Sequence, residues 1–207
     1  MKIRIVVAAL LIATPLAAQA GADSMTNAGV VRAADAVDSV FLARTRVSDT
    51  VAGGDWAAYL MARLGVKPIP PDLRLKVATD SAAIHIFGHI ADLPAEARMQ
   101  LGPLLSLLDT STTIDAWASL AQAGPAAVRF RLDSAAVGGM GIPEVALAPV
   151  LANVGVRFPV LTRTGRDLFV ETPPYGRVEL ALNGVLLVAP PPPPSAPHTR
   201  PRRTRAR

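Results

Sequence analysis

Two hydrophobic periods follow one another along this chain. From residue 21 to 66 the apolar positions recur at helical spacing. Val30, Ala34, Val37, Phe41 and Arg44 fall on one face, with Arg32, Asp35 and Asp38 largely elsewhere. Thr50 to Gly54 interrupts that pattern. Asp55 then suits an N-cap for a second helix from Trp56 to Leu64, and Gly65 suits its C-terminal stop. Lys67-Pro68-Ile69-Pro70-Pro71 cannot continue a helix and reads as a linker over 67–71.

Beyond the linker the period changes to two. Leu73, Leu75 and Val77 alternate with Arg74 and Lys76. After a turn at Thr79-Asp80-Ser81, Ile84, Ile86 and Ile90 lie on one face, with His85, Phe87 and His89 on the other. Asp92 is placed to cap a helix from Leu93 to about Leu108, with Gly102-Pro103 splitting it. A hairpin follows. Ile114, Ala116, Ala118 and Leu120 face Val128, Phe130 and Leu132 across a turn near Gly124-Pro125. A loop from Ala121 to Pro125 sets Asp115 opposite Arg131 and Trp117 opposite Arg129, a favourable cross-strand charge pattern. A second apolar helix begins at Pro143-Glu144 and is expected to stop at Gly155. Strands then return around Phe158–Thr162, Leu168–Thr172 and Val178–Leu187.

The expected fold is therefore α+β. A largely antiparallel curved sheet of about six or seven strands carries two apolar helices, and an N-terminal helical segment precedes it. The organisation read from these changes of period is a signal peptide at 1–20, a helical segment at 21–66, the linker, an α+β domain at 72–188 and a Pro/Arg-rich tail at 189–207.

The two ends set the address. Met1-Lys2-Ile3-Arg4 is a short basic region, Ile5 to Leu16 is apolar, and Ala18-Gln19-Ala20 is a small-residue cleavage site. An exported protein is expected, in the periplasm or outside the cell. At the other end Pro190–Pro194 predicts a stiff polyproline spacer. Arg200, Arg202, Arg203, Arg205 and Arg207 follow it with no apolar pattern, as a disordered tether for an anionic surface. These ends also explain the net charge of +5. Without Lys2, Arg4 and the five tail arginines, 14 basic residues face 16 acidic ones. With aromatics at only 4%, the folded part lacks the basic, aromatic platform of a nucleic-acid binder, and no specific nucleic acid is expected.

Candidate chemistry is sparse. There is no cysteine, which removes disulfides, thiol nucleophiles and thiolate metal sites. His85 and His89 would share a metal on a helix. On a strand they stand roughly 13 Å apart and cannot. Asp80-Ser81 near His85 has the residue types of a hydrolytic triad but sits in ordinary turn composition, without a nucleophile elbow. Gly138-Gly139-Met140-Gly141 lacks the spacing of a phosphate loop and reads as a turn. Asp109, Asp115 and Asp133 are scattered. No metal, cofactor or catalytic residue is assigned.

The excess is apolar instead. The helix carrying Leu101, Leu104, Leu105 and Leu108 and the one carrying Val150 and Leu151 are apolar nearly all round. Such helices are either packed inside protein or line a greasy groove. The body, with Gly141-Ile142-Pro143 leading into an apolar helix and Thr164-Gly165-Arg166-Asp167-Leu168 before a strand, resembles uncharacterised secreted bacterial envelope proteins. In arrangement it is similar to small periplasmic lipid-binding domains of the AsmA and tubular-lipid-binding kind. That resemblance covers residues 72–188 as a pattern of elements and transfers no functional residue. It implies a non-enzymatic envelope protein binding an apolar ligand such as a lipid, or a partner protein. The alternatives are a structural or assembly subunit of an envelope complex, and a hydrolase with an unrecognised site.

Overall fold

The computed structural model describes residues 22–100, 108–157, 162 and 164–192. The signal-peptide reading, the arginines of the tail, the Gly102-Pro103 split and the strand expected at 158–161 lie outside them.

The chain enters through a two-residue strand, β1 (Asp23–Ser24), and then forms α1 (Asn27–Val37). The Thr26 hydroxyl caps α1 by accepting from the Gly29 amide at 2.9 Å. One wider, π-type turn from Asp38 to Leu42 prolongs it. The buried stripe is Val30, Ala33, Ala36, Val40 and Phe41. It runs one residue away from the expected Ala34 and Val37, because the small Ala33 and Ala36 let α1 approach its neighbour. Strand β2 (Ser48–Ala52) occupies the break expected at Thr50. Helix α2 (Gly53–Arg63) begins immediately after it.

Asp55 is therefore not an N-cap but a residue of the first turn of α2. It is buried, and accepts two hydrogen bonds at 2.7 Å from Arg32 of α1. Hydrogen bonding to Asp55, then its charge, raises the Arg32 guanidinium above its usual value. This clamp fixes the crossing of α1 and α2, and a side chain at Gly29 would strike the same carboxylate. Gly65, at φ +92, ends α2 as expected. The Val66 amide reaches back to the Met61 carbonyl, and the Gly65 amide to that of Ala62. The 67–71 stretch is docked rather than free. The Asn27 amide group both donates to and accepts from the backbone of Ile69, which is buried.

The main sheet has seven antiparallel strands. β3 (Lys76–Thr79), β4 (Ile84–His89), β5 (Thr113–Gln122), β6 (Ala127–Val137) and the short β7 (Met140–Gly141) follow β1 in the order β1-β3-β4-β5-β6-β7. Between β4 and β5 lies α3 (Ala95–Gln100), and after β7 lies α4 (Glu144–Arg157). Strand β8 (Asp167–Glu171) also pairs with β6. A second antiparallel sheet joins β2 to the hairpin of β9 (Arg177–Ala181) and β10 (Gly184–Val188), in the order β2-β10-β9. The expected single strand at Val178–Leu187 is thus two, folded at Leu182-Asn183, where Asn183 takes φ +63. The fold is α+β, as the two periods imply.

The core lies between the N-terminal helices, the second sheet and one face of the main sheet. Trp56, Val77, Ile84, Val128, Phe130, Leu168, Val185 and Leu187 meet there. The N-terminal segment therefore shares its core with the body.

Two further expectations need correction. Helix α4 does not stop at Gly155 but runs on to Arg157, with Gly155 buried. The Gly165 turn comes so close at that point that a side chain on Gly165, which has φ +66, would overlap the Leu151 carbonyl. The β5–β6 register also differs. Leu120 faces Phe130 and Ala121 faces Arg129. Beyond an irregularity at Trp117/Ala118, Asp115 faces Ala136 and Trp117 faces Ser134. A tighter turn around Gly124 (φ +135) extends the ladder to Gln122 and Val128. The expected charge pairs are worth a few tenths of a kcal/mol on an open face, about 0.2–1 at most. Extra ladder bonds and the seating of β8 on β6 outweigh them.

Candidate functional site

The alternation in β4 gives the main sheet two unlike faces. Ile84 and Ile86 point into the core. His85 and Phe87 point the other way, where Trp117 and Asp115 of β5 join them. The register puts His85 opposite Trp117, and Phe87 opposite Asp115 on one side and Lys76 on the other. Over this face lies a cleft of about 1100 Å³. Its walls come from the Ser24–Asn27 stretch, the docked Ile69–Pro71 segment, Leu73, and the Leu182-Asn183 turn.

The floor is an aromatic row. The His85 ring stacks on Trp117 at 4.7 Å between centroids and within 5° of parallel. It also stacks on Phe87 at 4.7 Å. Its Nε2 lies 3.0 Å from Asp115 Oδ1, which fixes the ring's tilt. His89 is held separately, with its Nδ1 3.3 Å from Asp92 Oδ2 and its backbone amide donating to the same oxygen at 2.8 Å. The two histidines thus each face their own carboxylate. Among the described residues no cluster of His, Asp and Glu is arranged to hold a metal ion.

The structure does not bring the triad types together. Asp80 Oδ1 accepts from the amides of Ala82 and Ala83 and closes the β3–β4 turn. Ser81 lines a different, more open cleft with Gln122, Tyr175 and Glu179. Gly138 and Gly139, at φ +59 and +75, form the two-residue turn between β6 and β7. Arg129 and Arg131 lie on the outward face of β6, and Arg129 approaches Asp167 at 3.8 Å.

Of the apolar groove candidates, Leu101, Leu104 and Leu105 lie outside the described residues, as does the side chain of Val150. Leu151 is buried and Leu108 is partly exposed; neither lines the cleft. Helix α4 instead leaves Val145 and Val156 open to solvent. The cleft described above lies on the sheet. Sequence reasoning met His85 and Phe87 as a half-exposed face and placed Trp117 beside Arg129. The missing piece was the β4–β5 pairing, which no local pattern encodes.

No family model, curated protein or solved structure matches the chain. No helix among the described residues is long and apolar enough to cross a membrane.

Proposed function

We propose that this chain is an exported cell-envelope protein that binds a lipid-like, amphipathic ligand in the cleft over β3, β4 and β5, without performing chemistry on it. The arginines at 200, 202, 203, 205 and 207 tether it to an anionic surface. The observation that carries this reading is the aromatic floor of Trp117, His85 and Phe87. Ligand sites are typically concave, mostly apolar and furnished with a few fixed polar groups, and this cleft has that make-up. His85 and Asp115 supply an oriented polar pair, while the half-buried apolar surfaces of Trp117 and Phe87 supply the contact area. The signal-like N-terminus and the basic tail give the reading its setting.

Equilibrium dialysis of the mature chain against labelled phosphatidylglycerol and phosphatidylethanolamine tests it. The reading expects saturable binding near one to one, weakened about tenfold by Trp117→Ala through the lost stacking and burial. Binding that never saturates, or that ignores Trp117, would count against the cleft.

A second reading, an assembly subunit, draws on one observation. Met140, Val145 and Val156, on β7 and α4, are all strongly exposed. Light scattering after size exclusion separates the two, because ligand binding in the cleft needs no oligomer.

A further inference from the structure

The cleft is not uniform along its length. Three rows cross it, in the order set by the β3–β4–β5 register. The first holds Ala78, His85 and Trp117. The second holds Lys76, Phe87 and Asp115. The third holds His89 and Thr113, with Arg74 two residues before Lys76. Aromatic surface thus dominates one end, and the two strong cations gather toward the other. The first and third rows are four residues apart on β4, about 13 Å at the rise of a strand.

The charged groups of the cleft are differently committed. Asp115 accepts His85, Asp92 accepts the His89 amide and faces its ring, and Asp80 closes a backbone turn. Lys76 donates to the neutral Ser24 hydroxyl, at 2.6 Å. Among the described residues, neither Lys76 nor Arg74 is paired with a carboxylate. Lys76 at the start of β3 and Arg74 just before it, both lining the cleft with donor capacity to spare beside an aromatic floor, suit an oxyanion.

Building on the cleft reading above, we infer that the ligand is an elongated anionic amphiphile. Its oxyanion head is held by Arg74 and Lys76, and its apolar body lies on Phe87 and Trp117.

Calorimetric titration of the mature full chain with four probes tests this: decyl phosphate, decanol, decyltrimethylammonium and inorganic phosphate. Decyl phosphate is expected to bind about tenfold or more tighter than decanol, the scale of a charge-assisted hydrogen bond. Arg74→Gln with Lys76→Gln should abolish that preference and leave decanol unchanged, whereas Lys76→Arg should keep it. Trp117→Ala should weaken both. The basic tail is the same in wild type and variants, so it cancels when one probe is compared between them. Equal affinity for decyl phosphate and decanol overturns the inference while the cleft reading stands. So does a preference for the ammonium probe, which would put the aspartates in command. Inorganic phosphate binding as tightly as decyl phosphate would mean a free anion site and overturn the amphiphile. No binding by any probe overturns both this inference and the cleft reading. Unchanged circular dichroism in the double glutamine variant makes its result readable.

Discussion

At the scale of single residues, two side-chain arrangements decide most. The Arg32–Asp55 clamp joins α1 to α2 through a buried carboxylate and an exposed guanidinium. Asp55→Ala should cost about 1–2 kcal/mol in urea unfolding, because solvent screens half of the pair. The raised value of Arg32 gives a sign. A raised folded value stabilises below the unfolded one and loses that contribution only as pH rises through the folded one. On the arginine side the clamp therefore holds across neutral pH and weakens only in strong alkali. Gly165→Ala should be worse, since it adds both a left-handed backbone penalty and an overlap with the Leu151 carbonyl. A loss above about 2 kcal/mol is expected, and an unchanged melting temperature would contradict the close approach. Some of this was legible in the sequence. Gly65 could be recognised as a stop because its reason is local: a helix end needs a left-handed residue. Asp55 looked equally like a cap, because the sequence before it does not reveal that Gly53 and Gly54 already turn as helix.

At the scale of elements, period carried information and pairing did not. The alternation of Ile84, His85, Ile86 and Phe87 assigns each side chain a face by geometry alone. Which strand lies alongside on the β5 side depends on residues 24 to 34 positions away. Ser48–Ala52 was hidden for that reason: its partner, β10, lies more than 130 residues further along the chain. The Trp117/Ala118 irregularity shifts one half of β5 by a residue against β6, which a charge-pair argument cannot foresee. The β2–β10 pairing also closes the core, since Val51, Val185 and Leu187 are all buried. Leu187→Ala should cost about 2–5 kcal/mol. Hydrogen exchange should then quicken in β2 as well as in β9 and β10. Faster exchange confined to β9 and β10 would mean that β2 is not held by this sheet.

At the scale of the whole molecule, the chain divides its labour by charge and surface. The folded part is close to neutral, and the arginine-rich end carries most of the positive excess. Sedimentation with phosphatidylglycerol vesicles should show binding that falls as salt rises, with a screening length of about 8–10 Å at physiological ionic strength. It should vanish when residues 195–207 are deleted. Salt-insensitive sedimentation that survives the deletion would move the membrane contact onto the body, where Val145 and Val156 stand exposed. On the proposed reading, the cleft selects a ligand and the tail selects a place.

The central claim, that the aromatic cleft holds a ligand, is tested most directly by native mass spectrometry. The mature protein and its Trp117→Ala variant would be purified side by side from the source organism. Trp117 lies outside the buried core, so the variant should fold, losing about 1 kcal/mol of stacking. The wild-type protein is predicted to carry an added mass of lipid-like composition that the variant lacks. Bare protein in both preparations, or the same adduct on both, would contradict it.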